Sequence, residues 1–327
     1  MNHRIAVLTG DDCTPGMNAA VRSVTRRALE LGWQVIGICD GDGDLLPEDF
    51  IPLTARTVEG ISYRSGSLLG CSDTRQFLTD SGQKIAQRYF TEVRVDALIA
   101  IGGRETQAAA QALMAIGIPV NGIATSVEND LAGFEMSIGA DSALNVALDK
   151  IDCLRSTPPT GHVLHLVEVA GRTSGYLALM AAVVGGAAAV IIPEMEGDIE
   201  QNLVAIAAAA EFGDPVIVAA EAVYDANRVR AYVATHDPGG RKLQGHQIAH
   251  AQRHAAPSAY DRLLATRLGV QAVDALARGE TGVVLGQSHG AIHAVPLAEV
   301  VGQTKTLDDE LLHLATLLTG SGAVHEH

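Results

Sequence analysis

Two adjacent acids occupy a loop that ordinarily leaves its backbone bare. The stretch Leu8-Thr9-Gly10-Asp11-Asp12-Cys13-Thr14-Pro15-Gly16-Met17-Asn18 has the layout of an anion cradle between a buried strand and a helix. Such a unit aims unpaired N–H groups and the positive end of the helix dipole at a negative charge. Asp11 and Asp12 oppose that use, because like charges ~4 Å apart repel by ~4 kcal/mol at an effective dielectric near 20. The loop therefore predicts a binding fold whose chemistry has been altered. Three other segments concentrate reactive groups: Gly102-Gly103-Arg104-Glu105, Ser126-Val127-Glu128-Asn129-Asp130 and Ala170-Gly171-Arg172. His246, His250 and His254 fall at i, i+4 and i+8, which on a helix would make a zinc-like stripe. Gly245 and Ala255-Ala256-Pro257 argue instead for a loop, and no neighbouring Cys or carboxylate completes a set, so no metal site is expected.

Each of these segments needs an element to carry it. Ile5-Ala6-Val7-Leu8 reads as a buried strand, and Pro15-Gly16 opens a helix that continues to about Leu31. Further strands are expected at Gln34–Ile38, Asp96–Ile101, Val120–Ala124, His165–Val169, Ala189–Ile192 and Val216–Ala220. Helices are expected at about Asp141–Leu154, Gly175–Val184, Glu200–Ala210 and Pro257–Arg278, the last with Leu263, Leu264, Leu268, Val270 and Val273 as its apolar face. Alternating strands and helices predict parallel sheets covered by helices. Ligands then gather at the carboxyl ends of the strands, where all four loops fall.

The bulk numbers narrow the class. A chain of 327 residues is expected to form two α/β lobes rather than one core. A formal charge of −15 argues against nucleic acid and anionic membranes as partners. The longest apolar run, Tyr176–Ile192, is split by Gly185-Gly186 and reads as helix, turn and strand. No secretory signal is read at the start, and the location is expected to be cytoplasmic. Cys13, Cys39, Cys71 and Cys153 show no CxxC pairing, so reduced thiols are expected.

Taken together, Pro15-Gly16-Met17-Asn18-Ala19-Ala20, Ile101-Gly102-Gly103, Glu128-Asn129-Asp130, Val167-Glu168-Val169, Gly171-Arg172 and Pro257 through Tyr260-Asp261-Arg262 resemble the bacterial ATP-dependent 6-phosphofructokinases. The resemblance covers nearly the whole chain. It implies two similar three-layer α/β lobes with mostly parallel sheets. The larger, nucleotide-side lobe would comprise 1–138 with about 257–303, and the smaller, sugar-phosphate lobe 139–256 with 304–327. It further implies an oligomer, a tetramer or dimer, that transfers the ATP γ-phosphate to fructose 6-phosphate with Mg²⁺.

The departures from that family carry the functional expectation. The family's two loop glycines correspond to Asp11 and Asp12, which add bulk where the phosphates approach. Its Gly-Gly-Asp-Gly-Ser becomes Gly102-Gly103-Arg104-Glu105-Thr106, with a cation where an Asp holds Mg²⁺. Asp42 stands for the adenine-stacking aromatic, and Asp73-Thr74 for an Arg-Phe pair lining the nucleotide. Asp11, Asp12, Asp73, Gly103, Arg104 and Glu105 thus mark a vestigial nucleotide site, and neither ATP nor Mg²⁺ is expected to bind.

Other positions are kept in part. Glu128 retains a carboxylate at the base position, displaced by its extra methylene by roughly 1 Å. Ser126, Gly171, Arg172, Glu221, His250 and Arg253 match sugar-phosphate contacts, while Val163 and Gln244 replace two phosphate-binding arginines. Arg22 and Arg26, one helical turn apart, and Arg155 match effector-phosphate arginines, although Ala188 replaces a metal-chelating Glu. These substitutions predict an inactive or strongly impaired paralogue that regulates, scaffolds or binds a sugar phosphate or other small phosphorylated metabolite. Such a subunit would form homo-oligomers, or hetero-oligomers with an active paralogue. The alternative is an active sugar-phosphate kinase with ATP or pyrophosphate as donor.

Overall fold

The computed structural model describes residues 3–10, 13–39, 49–156, 161–194, 214–223, 231, 235 and 241–318. Asp11, Asp12, Asp42 and the expected helix at Glu200–Ala210 lie outside the described residues. The chain divides into two compact units, Met1–Ser142 with Arg253–Lys305 and Ala143–Gln252 with Thr306–His327.

The first unit is built on seven strands: β1 (Arg4–Thr9), β2 (Gln34–Ile38), β3 (Phe50–Leu53), β4 (Ala97–Gly102), β5 (Val120–Ala124), β10 (Val283–Ser288) and β11 (Ala291–Pro296). They lie in the order β11-β10-β5-β4-β1-β2-β3. The central pairs are parallel, as in Val7 against Ile99 and Ile101 against Ile123. Only β3 and β11, at the two edges, run antiparallel. Helices α1 (Met17–Glu30) and α7 (Ala259–Ala277) pack on one face with Ile5, Val7, Ile99 and Ile123. Helices α2 (Asp80–Val93) and α3 (Arg104–Ala115) cover the other face over Leu8, Leu98 and Ala100. Burial on both faces explains why these strands are apolar without alternation.

The second unit holds strands β6 (Val163–Val169), β7 (Ala189–Ile191), β8 (Val216–Ala220) and β9 (Lys242–Gln247), all parallel, in the order β7-β8-β6-β9. Helix α5 (Tyr176–Gly185) is followed by β7, so the apolar run at 176–192 is a helix, a turn and a strand. Helix α9 (Asp309–Leu318) packs on α5. Among the described residues no helix is long and apolar enough to cross a membrane.

Two expectations are corrected, the buried place of Leu263 and the reduced state of the cysteines. Leu263 points outward and is 61% exposed, while Leu264, Leu268 and Val273 form the buried face of α7. The three histidines share no helix: His246 lies in β9, His250 in the short α6 (Ala249–Arg253), and His254 follows it. Among the described residues no group of three metal-ligating side chains forms. The cysteines are not all reduced, because Cys13 and Cys71 are joined in a disulfide with Cα atoms 5.6 Å apart. A pairing across 58 residues leaves no mark in local spacing.

Candidate functional site

In the first unit the carboxyl ends of β1, β4 and β5 converge. Gly16, with φ of 99°, is the N-cap of α1, and a Cβ there would strike the Ile138 side chain at 2.6 Å. Glycine is therefore required for the turn from strand to helix. The N–H of Gly10 donates to Ile101 O at 3.0 Å, tying the end of β1 to β4. Thr106, in the first turn of α3, fills the space beside both strand ends. A Cβ on Gly10 or Gly102 would lie 1.8 or 2.2 Å from its Oγ1.

Gly103 is the N-cap of α3 and supplies no side-chain cap; Arg104 and Glu105 form the first turn. The Arg104 guanidinium approaches the Asp130 carboxylate at 3.9 Å. Ser126 Oγ donates to the same carboxylate at 2.6 Å. Asn129 between them has φ of 51° and is wholly buried. Its side chain donates to Glu135 O at 2.9 Å and accepts from Ser137 N at 2.8 Å. These bonds hold the Ser126–Asp130 turn in one shape. Glu128 is 6% exposed and faces Arg253 Nη2 at 3.6 Å.

Lys305, which no local sequence pattern marks, donates from Nζ to Glu135 O at 3.0 Å. Desolvation pulls its pKa down to about 8, against the opposing pull of Asp130 and Glu135. Asp73 accepts from its own neighbour Arg75 through backbone N–H at 3.0 Å and the guanidinium at 2.6 Å. That partner holds the Asp73 carboxyl below its ordinary value.

A cleft of about 480 Å³ lies elsewhere on this unit, lined by Arg22, Arg26, Ala55, Arg56 and Glu59. Arg22 and Arg26 share it as their spacing predicts. Arg56 adds a third guanidinium from the turn after β3, a residue that no periodic pattern singles out.

In the second unit the ends of β6 and β8 are linked by a bond from Ala222 N to Gly171 O at 2.9 Å. That bond brings the segments bearing Arg172 and Glu221 together. A Cβ on Gly171 would meet Ser174 O at 2.7 Å and Ala220 Cβ at 3.0 Å, so this turn admits only glycine. Arg172 and His250 are exposed, and Glu221 is half-buried. Arg155 donates to Gly185 O at 2.8 Å and also to Gly186 O, closing the C-terminal end of α5. Its guanidinium is thus turned to the carbonyls where a helix dipole favours a cation. Val163 and Gln244 stand in β6 and β9. In this sheet His165 and His246 meet at 3.2 Å, and burial, reinforced by Lys150, depresses the pKa of His246 to about 4.

Among the described residues, the strand-end site of the first unit does not offer Mg²⁺ an open set of ligands. A hard divalent cation requires several oxygen ligands around an open centre, yet Arg104 lies against Asp130 and Glu128 faces Arg253. Guanidinium groups occupy the surroundings of both carboxylates.

Parallel strands ending in glycine turns, with arginines and acids gathered beyond them, define an α/β protein of the kind that handles small phosphorylated ligands. The phosphofructokinase profile matches residues 4–276, and the chain belongs to the phosphofructokinase family. It is 35% identical over 318 residues to ATP-dependent 6-phosphofructokinase 1 of Thermus thermophilus, covering 96% of this chain and 99% of the relative. It is 34% identical over 340 residues to a pyrophosphate–fructose 6-phosphate 1-phosphotransferase of Amycolatopsis methanolica, covering 97% and 100%. The fold superimposes on the T-state phosphofructokinase of Pichia pastoris with a TM-score of 0.86 and 25% identity over 98% of this chain. This chain spans 38% of that longer polypeptide.

Proposed function

We propose that this chain is a phosphofructokinase-family protein whose donor site no longer takes Mg-nucleotide. It is a catalytically inactive or strongly impaired paralogue that works as a regulatory, scaffold or metabolite-binding subunit in the cytoplasm. The observation that supports this is the Arg104–Asp130 pair. Phosphoryl transfer depends on positioned charge more than on covalent chemistry, and here a fixed cation has taken the place of a removable one. The cleft with Arg22, Arg26 and Arg56 suits a small phosphorylated or carboxylated metabolite. In the second unit Arg172, Glu221 and His250 are proposed sugar-phosphate contacts. In the first unit, taken by itself, Ser126 and Arg253 are proposed to contact a phosphorylated ligand. The subunit is proposed to assemble as a homo-oligomer, a tetramer or dimer, or with an active paralogue.

One observation favours a second reading, an active sugar-phosphate kinase with ATP or pyrophosphate as donor. Glu128 is buried at the position of a general base and held by Arg253. The purified protein, assayed with fructose 6-phosphate and either donor in Mg²⁺, is expected to show no turnover. Turnover well above background refutes the first reading and establishes the second.

A further inference from the structure

Strand β9 is the outer strand of the second sheet, paired among the described strands with β6 alone. Its sequence KLQGHQ brings one apolar side chain, Leu243, to the cluster of Leu164, Leu166 and Ile217. A strand that buries so little apolar surface depends on its backbone ladder and on polar contacts across the seam. On one face Gln247 Nε2 donates to Glu168 Oε2 at 3.0 Å. On the other, His165 Nδ1 meets His246 Nε2 at 3.2 Å, with the ring centres 5.4 Å apart. Nitrogens this close on centres that far apart mean rings that meet head-on rather than stack. While both are neutral, one ring N–H donates to the other ring's lone pair. Once both are protonated, two N–H groups and two positive charges face each other. Lys150 of α4 (Ala140–Ser156) opposes a proton on either ring, and Asp214, just before β8, favours one on His165. Burial outweighs Asp214 and holds both rings below the ordinary imidazole value.

We propose that the His165–His246 contact is an acid-released latch, which holds the edge strand β9 to β6 while both rings are neutral and lets β9 detach when they are protonated. A histidine whose pKa is depressed in the closed strand binds fewer protons there than in the open one. The latch is therefore fully closed above the ordinary value of 6.5 and weakens as pH falls toward about 4. Detachment is a local opening of one edge strand, not unfolding of the unit. Strand β9 leads directly into α6, whose Gln252 accepts from Ala170 N at 2.7 Å and donates to Ala143 O at 2.9 Å. Release of β9 loosens this support for the turn at Gly171. Any loss of ligand at Arg172 that follows rests on the proposed sugar-phosphate reading; the release of the strand does not.

The test follows amide hydrogen exchange of the full chain by peptide mass at about pH 8 and about pH 5.5, each corrected for the intrinsic exchange rate. With the His246 pKa at about 4 when closed and at 6.5 when open, opening of β9 should be about 10-fold more frequent at the lower pH. Strand β8 should keep its protection. His246→Gln and His165→Gln should each abolish the pH response of β9, and one folded variant suffices if the other misfolds. The ring signals of His165 and His246, followed by NMR in the wild-type chain, should both titrate below the ordinary imidazole value. The proposal is overturned if β9 protection is the same at both pH values, or if β8 loses protection in step with it. It is equally overturned if a folded variant keeps the wild-type response, or if either ring titrates at the ordinary value. No ligand is added, so a failed latch leaves the sugar-phosphate reading standing, and failure of that reading leaves the latch standing.

Discussion

Replacing Arg104 by Asp tests the charge argument at its root. At 3.9 Å two unit charges attract by ~4 kcal/mol at an effective dielectric of 20. The Arg104 side chain is 36% exposed and that of Asp130 13%, so solvent screening reduces the net worth of the pair to ~1 kcal/mol. Arg104→Asp removes that attraction and adds a repulsion of similar size, so the metal-free variant should be destabilised by roughly 1–2 kcal/mol. The same change creates a pair of carboxylates with Ser126 beside them, the beginning of a magnesium site. If Mg²⁺ binds there with a Kd of about 1 mM, 10 mM metal returns ~1.4 kcal/mol, a rise in Tm of roughly 3 °C. Wild type should show no metal-dependent shift, with or without ATP. The assay is a thermal melt of both proteins across a magnesium series at constant ionic strength. A wild-type shift as large as the variant's, appearing only with Mg-ATP, would refute the claim that Arg104 excludes the metal.

Two further outcomes follow from buried groups. Asp261 accepts from Gly139 N at 2.9 Å, Ser142 N at 2.8 Å and Ser142 Oγ at 2.5 Å, yet burial pushes its pKa up to about 6. A carboxyl whose folded pKa exceeds its unfolded value binds more protons when folded, so its stabilising contribution is present at low pH and lost as pH rises from about 4 to 6. The loss should reach about 3 kcal/mol, and urea unfolding across that range should show a slope that Asp261→Asn flattens. Gly171→Ala should cost about 1–3 kcal/mol, because the added methyl meets the Ser174 carbonyl at 2.7 Å. The same substitution should weaken any sugar-phosphate binding that uses Arg172, whereas equal stability and affinity in the variant would place the contact elsewhere.

Parallel core strands were the most legible part of the fold, since β1, β4 and β8 carry apolar runs buried on both sides and β5 and β6 are largely apolar, broken by Asn121, His165 and Glu168. Edge strands other than β7 were not. Lys242–Gln247, with the sequence KLQGHQ, borders solvent and carries no apolar run, so a ladder of backbone bonds to β6 decides its state. The β10–β11 hairpin turns on His289 and Gly290, with φ of 50° and 73°, a pair of left-handed residues without the Asn-Gly signal that usually announces them. Arg104–Ala115 begins in a glycine turn and supplies a weak apolar stripe, too little to announce a helix from the sequence.

The site was legible to the extent that its chemistry is local. Gly171 and the Ser126–Asp130 turn declare themselves because a strand end followed by glycine or short polar residues has few other uses. Three contributors come from far along the chain and leave no local trace: Lys305 against Glu135, Arg56 beside Arg22, and Cys71 opposite Cys13. The disulfide acts on a segment that the departures from the family had already marked and Lys305 acts toward Asp130 beside Arg104, whereas Arg56 joins arginines that match the family. Lys305 and Arg104 both bring positive charge toward Asp130, and the disulfide closes on the loop that carries two extra acids. Arg104 and Lys305, far apart in the sequence, therefore fall on one strand-end region. Independent decay of an unused site would delete ligands without supplying partners for those that remain. Here Asp130 has Arg104 and Ser126, and Glu128 has Arg253. Buried carboxylates stay in a fold only when their charge is answered. Under the proposed reading, a retained and neutralised acid set is what a metal-free binding subunit is expected to carry.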